Sequence, residues 1–313
     1  MIRMRSLILS ALLLCTATMA KGQLLWEVSG NSAKSKSYIF GTDRLADISF
    51  LDTVPNLFKV YGRCSRVITE MAINDMDAAR ALREAALLPD SASLRGQYTQ
   101  EEYSRIDAAI QLAINMDLDK VGRMKPSYLT ELYRNELLRR WMGYDEDRSM
   151  ENFFQTVAKQ QGKPVIALDD TGEAIYMAFD REPTYWQCKE LLKIVDYPER
   201  EIQLEKALLN LYRNGQLLEM TYRVTAPDNL STLSYSDYQV YARRNLNWTK
   251  RLIPYLTEGD NFICLNALYL GGDDGLLARL KAAGYKIRPV NRFKLLKDKE
   301  FPAIPEMAGE TAP

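Results

Sequence analysis

Histidine is missing from the chain: none occurs among its 313 residues. Neutral imidazole is the commonest protein ligand for zinc, and it is the usual base that activates a serine or cysteine nucleophile. The absence therefore excludes the common histidine-dependent catalytic triads. It also deprives a catalytic metal site of its usual nitrogen ligands.

Net charge is missing as well, because 41 Lys and Arg residues balance 41 Asp and Glu residues. A neutral chain has no long-range field that would attract nucleic acid or an anionic membrane, so we expect no nucleic-acid partner. The remaining composition, 47% hydrophobic and 26% charged, is typical of a globular protein. The chain is long enough to bury a sizeable core.

The apolar run near the N-terminus is too short to span a membrane. Arg3 and Arg5 precede the apolar segment Leu7 to Leu14, and small residues ending at Ala20 follow it. This order of regions predicts a secretory signal peptide over residues 1–20. A transmembrane helix would need about 20 apolar residues. We therefore expect an exported protein, periplasmic or extracellular.

Cysteine is scarce, with four residues in the chain. Cys15 lies in the predicted signal peptide, and we expect contact with a membrane only if it is lipidated; Leu14 stands before it, where a small residue is usual. Cleavage would leave Cys64, Cys188 and Cys264, and an odd number allows at most one disulfide. Their apolar surroundings favour buried thiols. Whether two of the three form a disulfide stays open.

Alternation of strand and helix patterns predicts an α/β fold. Two β-prone runs, Leu24 to Val28 and Tyr38 to Thr42, are separated by a turn-rich stretch and indicate a strand pair. The runs Arg66 to Met71 and Lys163 to Leu168 each follow a helical stretch, which indicates parallel crossovers. Together with the later run Asn261 to Leu265, they predict a mixed β-sheet built from β-α-β units and covered by helices.

The middle of the chain has a helical pattern. Thr99 with Glu102 is typical of a helix start, and Ile106 and Ile110 then recur on one face. Further helices are predicted over Tyr128–Trp141, Ser149–Gln161, Glu199–Tyr212, Ser236–Leu256 and Leu276–Ala283, with a last strand over Tyr285–Val290. The chain shows no internal linker, so we expect one domain, residues 24–293, and a disordered tail, residues 294–313.

A series of short segments in fixed order resembles the TraB/GumN family and covers nearly the whole mature chain. They are Leu24-Leu25-Trp26-Glu27-Val28, Ser37-Tyr38-Ile39-Phe40-Gly41-Thr42, Glu70, Leu168-Asp169, Arg244-Asn245, Gly271-Gly272-Asp273-Asp274-Gly275-Leu276-Leu277 and Gly284-Tyr285. That family is similar to metal-dependent proteases that cleave Wnt proteins. The resemblance implies a site built from two Gly-x-x-His motifs and acidic residues.

Both histidine motifs of the family are altered in this chain. The first motif ends in Arg44, and the second, from Asn266 to Tyr269, has lost both its glycine and its histidine. A guanidinium group stays protonated and repels a divalent cation. We therefore expect Arg44 to pair with a carboxylate such as Glu70 or Asp169.

The candidate site is a remnant pocket whose catalytic residues are unknown. Its members are Gly41, Thr42, Asp43, Arg44, Glu70, Asp169, Arg244, Asn245 and Tyr269. We expect no cofactor and no metal. If a divalent metal were bound, Asp43, Glu70 and Asp169 would hold it through oxygen alone.

Three functions remain open at this point. The first is a catalytically degenerate family member with a binding or scaffold role, whose partner is an unknown protein. The alternative is a metal-dependent hydrolase or peptidase with the oxygen-only site. The third is a binder of a small anionic ligand, because Arg44 and Arg244 would bring positive charge to the pocket.

Three features allow a structural as well as a functional interpretation. Asn245 interrupts the apolar stripe of its helix, so it either faces the site or joins the helix to its neighbours. Tyr269 either packs at a strand end or donates a proton in the pocket. The glycines between Gly271 and Gly275 could cradle a phosphate, but Asp273 and Asp274 would repel it, which favours a structural turn.

Overall fold

A six-stranded mixed β-sheet forms the centre of the protein, in the strand order β4-β3-β5-β2-β1-β6. The computed structural model describes residues 23–72, 76–225 and 235–290. The strands are β1 (Leu25–Ser29), β2 (Ser37–Thr42), β3 (Arg66–Thr69), β4 (Val165–Ala167), β5 (Asn261–Asn266) and β6 (Lys286–Pro289). β1 runs antiparallel to β2 and β6, and the other neighbours are parallel. The predicted α/β fold with a mixed sheet is confirmed.

The two central parallel strands are buried on both faces. β2 pairs with β5 from Tyr38 opposite Phe262 to Thr42 opposite Asn266, and all side chains of β2 are buried. Continuous apolar runs are expected for parallel strands that carry helices on both faces. Because β2, β3, β4 and β5 are mutually parallel, the residues that follow them all emerge at one edge of the sheet, called here the carboxyl edge.

Helices surround the sheet and make up the middle of the chain. They are α1 (Leu57–Arg63), α2 (Met76–Ala85), α3 (Gln100–Ile114), α4 (Leu118–Val121), α5 (Pro126–Met142), α6 (Met150–Gln160), α7 (Thr171–Ile175), α8 (Thr184–Asp196), α9 (Pro198–Arg213), α10 (Leu217–Thr225), α11 (Tyr235–Glu258) and α12 (Leu276–Ala282). Short 3-10 turns cover Ile48–Thr53, Arg95–Gln97, Glu146–Arg148 and Ala267–Tyr269, and a π-helical turn covers Tyr176–Asp180. All of the predicted helices are present, and their ends differ from the prediction by at most two residues.

The start of α3 follows from its sequence. The Oγ1 atom of Thr99 accepts a hydrogen bond from the Glu102 backbone N–H at 3.2 Å, and a Glu102 carboxylate oxygen accepts one from the Thr99 N–H at 2.8 Å. This capping box satisfies two backbone donors that a helix otherwise leaves unpaired. Ile106 and Ile110, on the face predicted to be apolar, are fully buried.

Two hydrophobic clusters share the core. The first surrounds the sheet, and its aromatic centre includes Phe154 and Phe262, whose ring centroids lie 4.8 Å apart. The second lies within the helical middle, where Ile106 of α3, Leu129 of α5 and Leu191 of α8 meet. Helix α9 contributes to both clusters, so it joins the helical middle to the sheet.

The three cysteines in the described part of the chain, Cys64, Cys188 and Cys264, are buried free thiols, as their apolar surroundings indicated. Within the described ranges, no helix combines the length and apolar character needed to cross a bilayer. The predicted signal peptide, with Cys15, and the predicted tail lie outside the described residues. Those two predictions stay predictions.

Candidate functional site

A cleft of about 570 Å³ opens at the carboxyl edge of the sheet. Asp43 and Arg44 reach it directly after β2, Glu70 directly after β3, and Tyr269 from the turn after β5, while Arg244 reaches it from α11. The opposite wall is formed by the helical middle, chiefly α5, α8, α9 and α10. Clefts at this edge of open α/β sheets are common ligand sites, because loops of several strands converge there.

Arg244 bridges the two carboxylates that follow β3 and β4. Its Nη2 atom lies 2.9 Å from Oε2 of Glu70 and 2.5 Å from Oδ2 of Asp169, and its Nε donates to the same Asp169 oxygen at 3.0 Å. The remaining oxygens also have donors. Oε1 of Glu70 accepts from the Asn266 backbone N–H at 2.7 Å, and Oδ1 of Asp169 accepts from Nε1 of Trp248 at 2.5 Å.

Aromatic rings fix the guanidinium group of Arg244 in this position. It lies 4.4 Å from the ring centroid of Trp248 and 4.6 Å from that of Tyr269, which in turn stacks on Tyr241 at 5.4 Å. A cation over aromatic faces is stabilised by the ring quadrupoles. Tyr269 therefore packs as part of an aromatic stack, and burial raises the pKa of its hydroxyl.

Arg44 does not pair with Glu70 or Asp169, so the predicted partners of this arginine were wrong. Its two terminal nitrogens bind Glu131 of α5 at 2.8 Å and Glu205 of α9 at 2.7 Å. The physical reason is the direction of the chain after β2, which carries Arg44 away from the sheet and towards the helical wall. The positive charge at Glu70 and Asp169 comes instead from Arg244, which approaches from α11 on the other side.

A chain of alternating charges crosses the helical wall, and sequence analysis did not identify it. Glu131 shares its carboxylate between Arg44 and Arg134, and Arg134 also binds Glu201 at 2.6 Å. Burial alone would raise the pKa of Glu131, but the two guanidinium groups lower it to about 2. With Glu205 at its other end, this ion chain consists of Glu205, Arg44, Glu131, Arg134 and Glu201.

Asp43 is buried between this ion chain and the sheet. One of its oxygens, Oδ1, accepts hydrogen bonds from the backbone N–H groups of Leu45 at 2.9 Å and Ala46 at 3.2 Å. Burial is the largest cause of the raised pKa of Asp43, which reaches about 6, and the nearby Glu205 raises it further. Asp43 is therefore an acidic group that lines the cleft and titrates close to neutral pH.

A second acidic group with a perturbed pKa lies behind the cleft. Glu151, in the first turn of α6, accepts a hydrogen bond from Oγ1 of Thr42. Burial, followed by the charges of Glu70 and Asp43, raises the pKa of Glu151 to about 7. The sequence does not indicate the raised pKa of Glu151, because an acidic residue in the first turn of a helix is common.

Gly41, one of the candidate residues, lies below the cleft and does not line it. Its carbonyl oxygen accepts a hydrogen bond from the hydroxyl of the buried Tyr212 at 2.9 Å. A β-carbon at position 41 would come within 2.9 Å of the Leu270 side chain and 3.1 Å of Ala267. A side chain at position 41 would therefore crowd the turn after β5, which packs directly against β2.

Asn245 also lies away from the cleft, in the buried interface between α11 and the glycine-rich loop. Its Nδ2 donates to the backbone oxygen of Asp274 at 3.1 Å. A β-carbon on Gly275 would lie 2.0 Å from the Gly271 oxygen, so the loop closes on itself too tightly for another residue. Both features support the interpretation of this loop as a structural turn.

The donor set of the alternative metal site does not fit a divalent cation. Asp169 and Glu70 are bridged by Arg244, and Oδ1 of Asp43 is occupied by backbone N–H groups. Throughout residues 23–72, 76–225 and 235–290, no three side chains of the His, Cys, Asp or Glu types are grouped closely enough to hold a metal ion. A guanidinium group between two carboxylates supplies the positive charge that an oxygen site would otherwise receive from the metal.

Comparison with known families identifies the family of this chain. The sequence model of the TraB/PrgY/gumN family matches residues 24–289, whereas comparisons with curated proteins and with solved structures gave no match. The resemblance carried by the ordered segments is thereby confirmed. Because the match extends from β1 to β6 and includes every residue described at the carboxyl edge, the chain belongs to the TraB/PrgY/gumN family.

Proposed function

We propose that this protein is an exported, catalytically degenerate member of its family, which binds a ligand or protein partner in the cleft and carries out no metal-dependent hydrolysis. The order of charged, apolar and small residues before Lys21 supports export. The cleft supports the binding role, because it lies where ligand sites of α/β sheets commonly lie.

One observation carries the proposal: Arg244 lies between Glu70 and Asp169 at ion-pair distance from both. The side chain of Arg244 is 12% exposed and that of Asp169 is 2% exposed, so water screens the pair little. Removing one partner of such a buried pair is strongly unfavourable. A divalent cation could bind there only by displacing a guanidinium group that two carboxylates and two aromatic rings hold in place.

The alternative function is a metal-dependent hydrolase or peptidase with an oxygen-only site. One observation favours this alternative: Asp43 and Glu70 line the same cleft. In that case a hard cation would bind both carboxylates, and Glu70 would have to release Arg244.

Metal analysis of the purified chain, combined with peptide hydrolysis assays, distinguishes the two functions. We expect far less than about one equivalent of zinc or manganese, and no hydrolysis that a chelator inhibits. Stoichiometric metal together with hydrolysis that Glu70→Gln abolishes would establish the hydrolase instead. Glu84→Gln, an exposed carboxylate on α2, is the matched control and should change neither readout.

Export is tested separately, by mass spectrometry of the N-terminus after expression of the full chain in a secreting host. We expect a mature protein that begins at Lys21 and is recovered outside the cytoplasm. An intact N-terminus on cytoplasmic protein would contradict the export proposal and leave the binding proposal standing.

A further inference from the structure

The end of the sheet opposite the cleft is called here the amino edge. β2, β3, β4, β5 and β6 all run in the same direction, so the segments that precede them lie together at this end. β1 runs the other way and ends there. The amino edge consists of residues 29–37, 62–66, 159–164, 257–261 and 281–286.

Hydrogen bonds join these five segments side by side. The Lys34 N–H donates to the Thr257 oxygen at 3.0 Å, and the Asp260 N–H donates to the Lys36 oxygen at 3.2 Å. The Ser65 N–H donates to the Asp260 oxygen at 2.8 Å. The outer segments are joined by Val67 N–H to the Pro164 oxygen at 2.9 Å and by Asn31 Nδ2 to the Ala283 oxygen at 2.8 Å. The amino edge is therefore one continuous end face of the protein.

Basic residues predominate on this end face. Its five segments contain eight Lys and Arg residues but only two acidic residues. Arg66 pairs with Glu258 at 2.6 Å, and Lys36 pairs with Glu27 of β1 at 2.8 Å, which leaves Asp260 as the remaining acidic residue of the segments. The other basic residues are Lys34, Arg63, Lys159, Lys163, Lys281 and Lys286. The amino edge therefore carries a net positive charge.

The negative charge lies at the other end of the sheet. Seven acidic residues and four arginines line the cleft at the carboxyl edge. The six residues of β2, which runs from one edge to the other, span about 20 Å. Salt screens electrostatic interactions over about 8 Å at physiological ionic strength. A surface in contact with the amino edge is therefore attracted by its positive charge, although the whole chain is neutral.

The basic side chains are spread over the end face and do not follow a groove. Arg63 ends α1, while Lys159 and Lys281 lie in the last turns of α6 and α12, so the charge extends from the strands to the ends of the helices beside them. A groove of about 530 Å³ beside β4 contains Lys159 and Lys163 and no other basic residue of the amino edge. A chain polymer is usually held along a charged groove, whereas charge spread in two dimensions matches another surface.

We propose that the amino edge docks on an anionic lipid surface, which leaves the cleft at the opposite edge open to solvent. Each Lys or Arg near an anionic leaflet is attracted to it, and the exposed Lys34, Lys281 and Lys286 can reach the headgroups directly. None of the exposed large apolar side chains of the described residues lies in the five segments, so the contact is electrostatic and does not insert into the acyl chains. The proposal concerns a second surface and does not depend on the ligand of the cleft.

Co-sedimentation of the purified mature chain with vesicles tests the proposal. One set of vesicles contains phosphatidylcholine with about 30% phosphatidylglycerol, and the comparison set contains phosphatidylcholine alone. We expect binding to the anionic vesicles at about 0.1 M salt and loss of most of this binding at about 0.5 M salt, because salt screens the attraction. Binding to the neutral vesicles should be weak at both salt concentrations.

Replacement of exposed lysines by glutamine identifies the surface that binds. The edge variant combines Lys34→Gln, Lys281→Gln and Lys286→Gln. We expect it to bind the anionic vesicles about tenfold or more weakly than the wild type, since each lysine near the leaflet contributes a factor of about five. The matched control combines Lys120→Gln, Lys189→Gln and Lys206→Gln, three exposed lysines of the helical middle, and should bind as the wild type does.

Thermal unfolding of both triple variants shows whether a loss of binding reflects a loss of structure. Lys281 lies in the last turn of α12, where a cation also stabilises the helix end. If the edge variant melts earlier than the control, Lys34→Gln alone gives the test, with an expected loss of binding of about fivefold.

Amide hydrogen exchange on the vesicles identifies the orientation of the bound protein. We expect slower exchange in residues 29–37 and 281–286 of the amino edge. Exchange should be unchanged in residues 43–47, which follow β2 at the cleft. This pattern would place the cleft on the side of the protein that faces away from the lipid.

Several results would overturn the proposal. They are no binding to the anionic vesicles, equal binding to both kinds of vesicle, equal affinity of the edge variant and the control, and protection at the cleft in place of the amino edge. Tighter binding of double-stranded DNA or of an acidic polysaccharide than of the anionic vesicles would assign the end face to a polymer and so contradict it as well. None of these results bears on metal content or on ligand binding in the cleft, so the proposed function is tested independently.

Discussion

Glu151 is a carboxylic acid whose hydrogen-bond partner is neutral, the hydroxyl of Thr42. Its ordinary pKa of 4.5 rises to about 7 in the folded protein, mainly because burial disfavours the ionised form. Between these two values the folded state holds a proton that the unfolded state has released. The free energy of unfolding must therefore fall as the pH rises through this interval.

Glu151→Gln should remove that pH dependence. The amide oxygen can still accept from Thr42, but the side chain no longer ionises, so the variant should gain stability relative to wild type between about pH 5 and pH 8. The expected gain is on the order of 3 kcal/mol at pH 8 and less than about 1 kcal/mol at pH 5. Urea unfolding at both pH values measures it. Equal gains at the two pH values would show that packing rather than ionisation is responsible. The control Glu84→Gln should give no gain in stability at either pH.

Residues at the site differ in how far the sequence could predict their contacts. Asp43, Glu70 and Tyr269 reach the cleft because each follows a parallel strand, and strand ends can be predicted from apolar runs. The partners of Arg44 and Arg244 could not be predicted this way. A long cationic side chain is compatible with any carboxylate within its reach, and only the packing of α5, α9 and α11 decides which one that is.

At the scale of elements, close backbone contacts fix the conformation of the glycine-rich loop before α12. A β-carbon on Gly275 would lie 2.0 Å from the Gly271 oxygen, and one on Gly271 would lie 2.6 Å from the Leu217 oxygen of α10. Backbone atoms cannot move aside as the end of a side chain can. The loop thereby holds α10 and α12 in fixed positions relative to α11.

Gly275→Ala should destabilise the protein by about 3 kcal/mol or more, because relief of the clash requires the loop to open. Gly96→Ala is the matched control, since a β-carbon there meets nothing within 4 Å. Thermal unfolding followed by circular dichroism compares the two variants. Similar melting temperatures for both would refute the close contact between positions 271 and 275.

The helices and strands could be predicted from the sequence, whereas the contacts between them could be predicted only in part. Periodicity and the Thr99 cap predicted α3, and apolar runs predicted the central strands. Glu131 and Arg134 are three residues apart on α5, which in a sequence looks like a solvated helix face. In the structure they belong to the ion chain that covers one wall of the cleft. No local sequence pattern distinguishes a solvated helix face from one that lines a cleft.

For the whole molecule, the ion chain is one of the connections between the two hydrophobic clusters. Arg44 follows β2 of the sheet cluster, whereas Glu131 lies on α5 of the helical cluster. Glu205 lies on α9, which contributes to both clusters. Arg44 therefore holds the helical wall against the carboxyl edge and helps to set the width of the cleft.

Arg44→Gln should loosen this connection. Because its side chain is 31% exposed, we expect a loss of only about 1–2 kcal/mol in the free energy of unfolding. Amide hydrogen exchange should increase in α5 and α9 more than in the central strands. Arg148→Gln, which breaks an exposed pair with Asp47, should cost less than about 0.5 kcal/mol and leave that exchange unchanged. Uniform acceleration of exchange in Arg44→Gln would indicate global destabilisation instead.

The lack of histidine has a practical consequence for Asp43 and Glu151. Proteins usually buffer near neutrality through imidazoles, which hide the titration of a few unusual carboxyl groups. In the described part of this chain, Asp43 and Glu151 are the side chains whose pKa values of about 6 and about 7 fall in that range. Proton uptake by Asp43 and Glu151 on mild acidification therefore reports on the cleft and its immediate surroundings. An isotope-edited carboxyl spectrum can follow it with no imidazole titration in the same range.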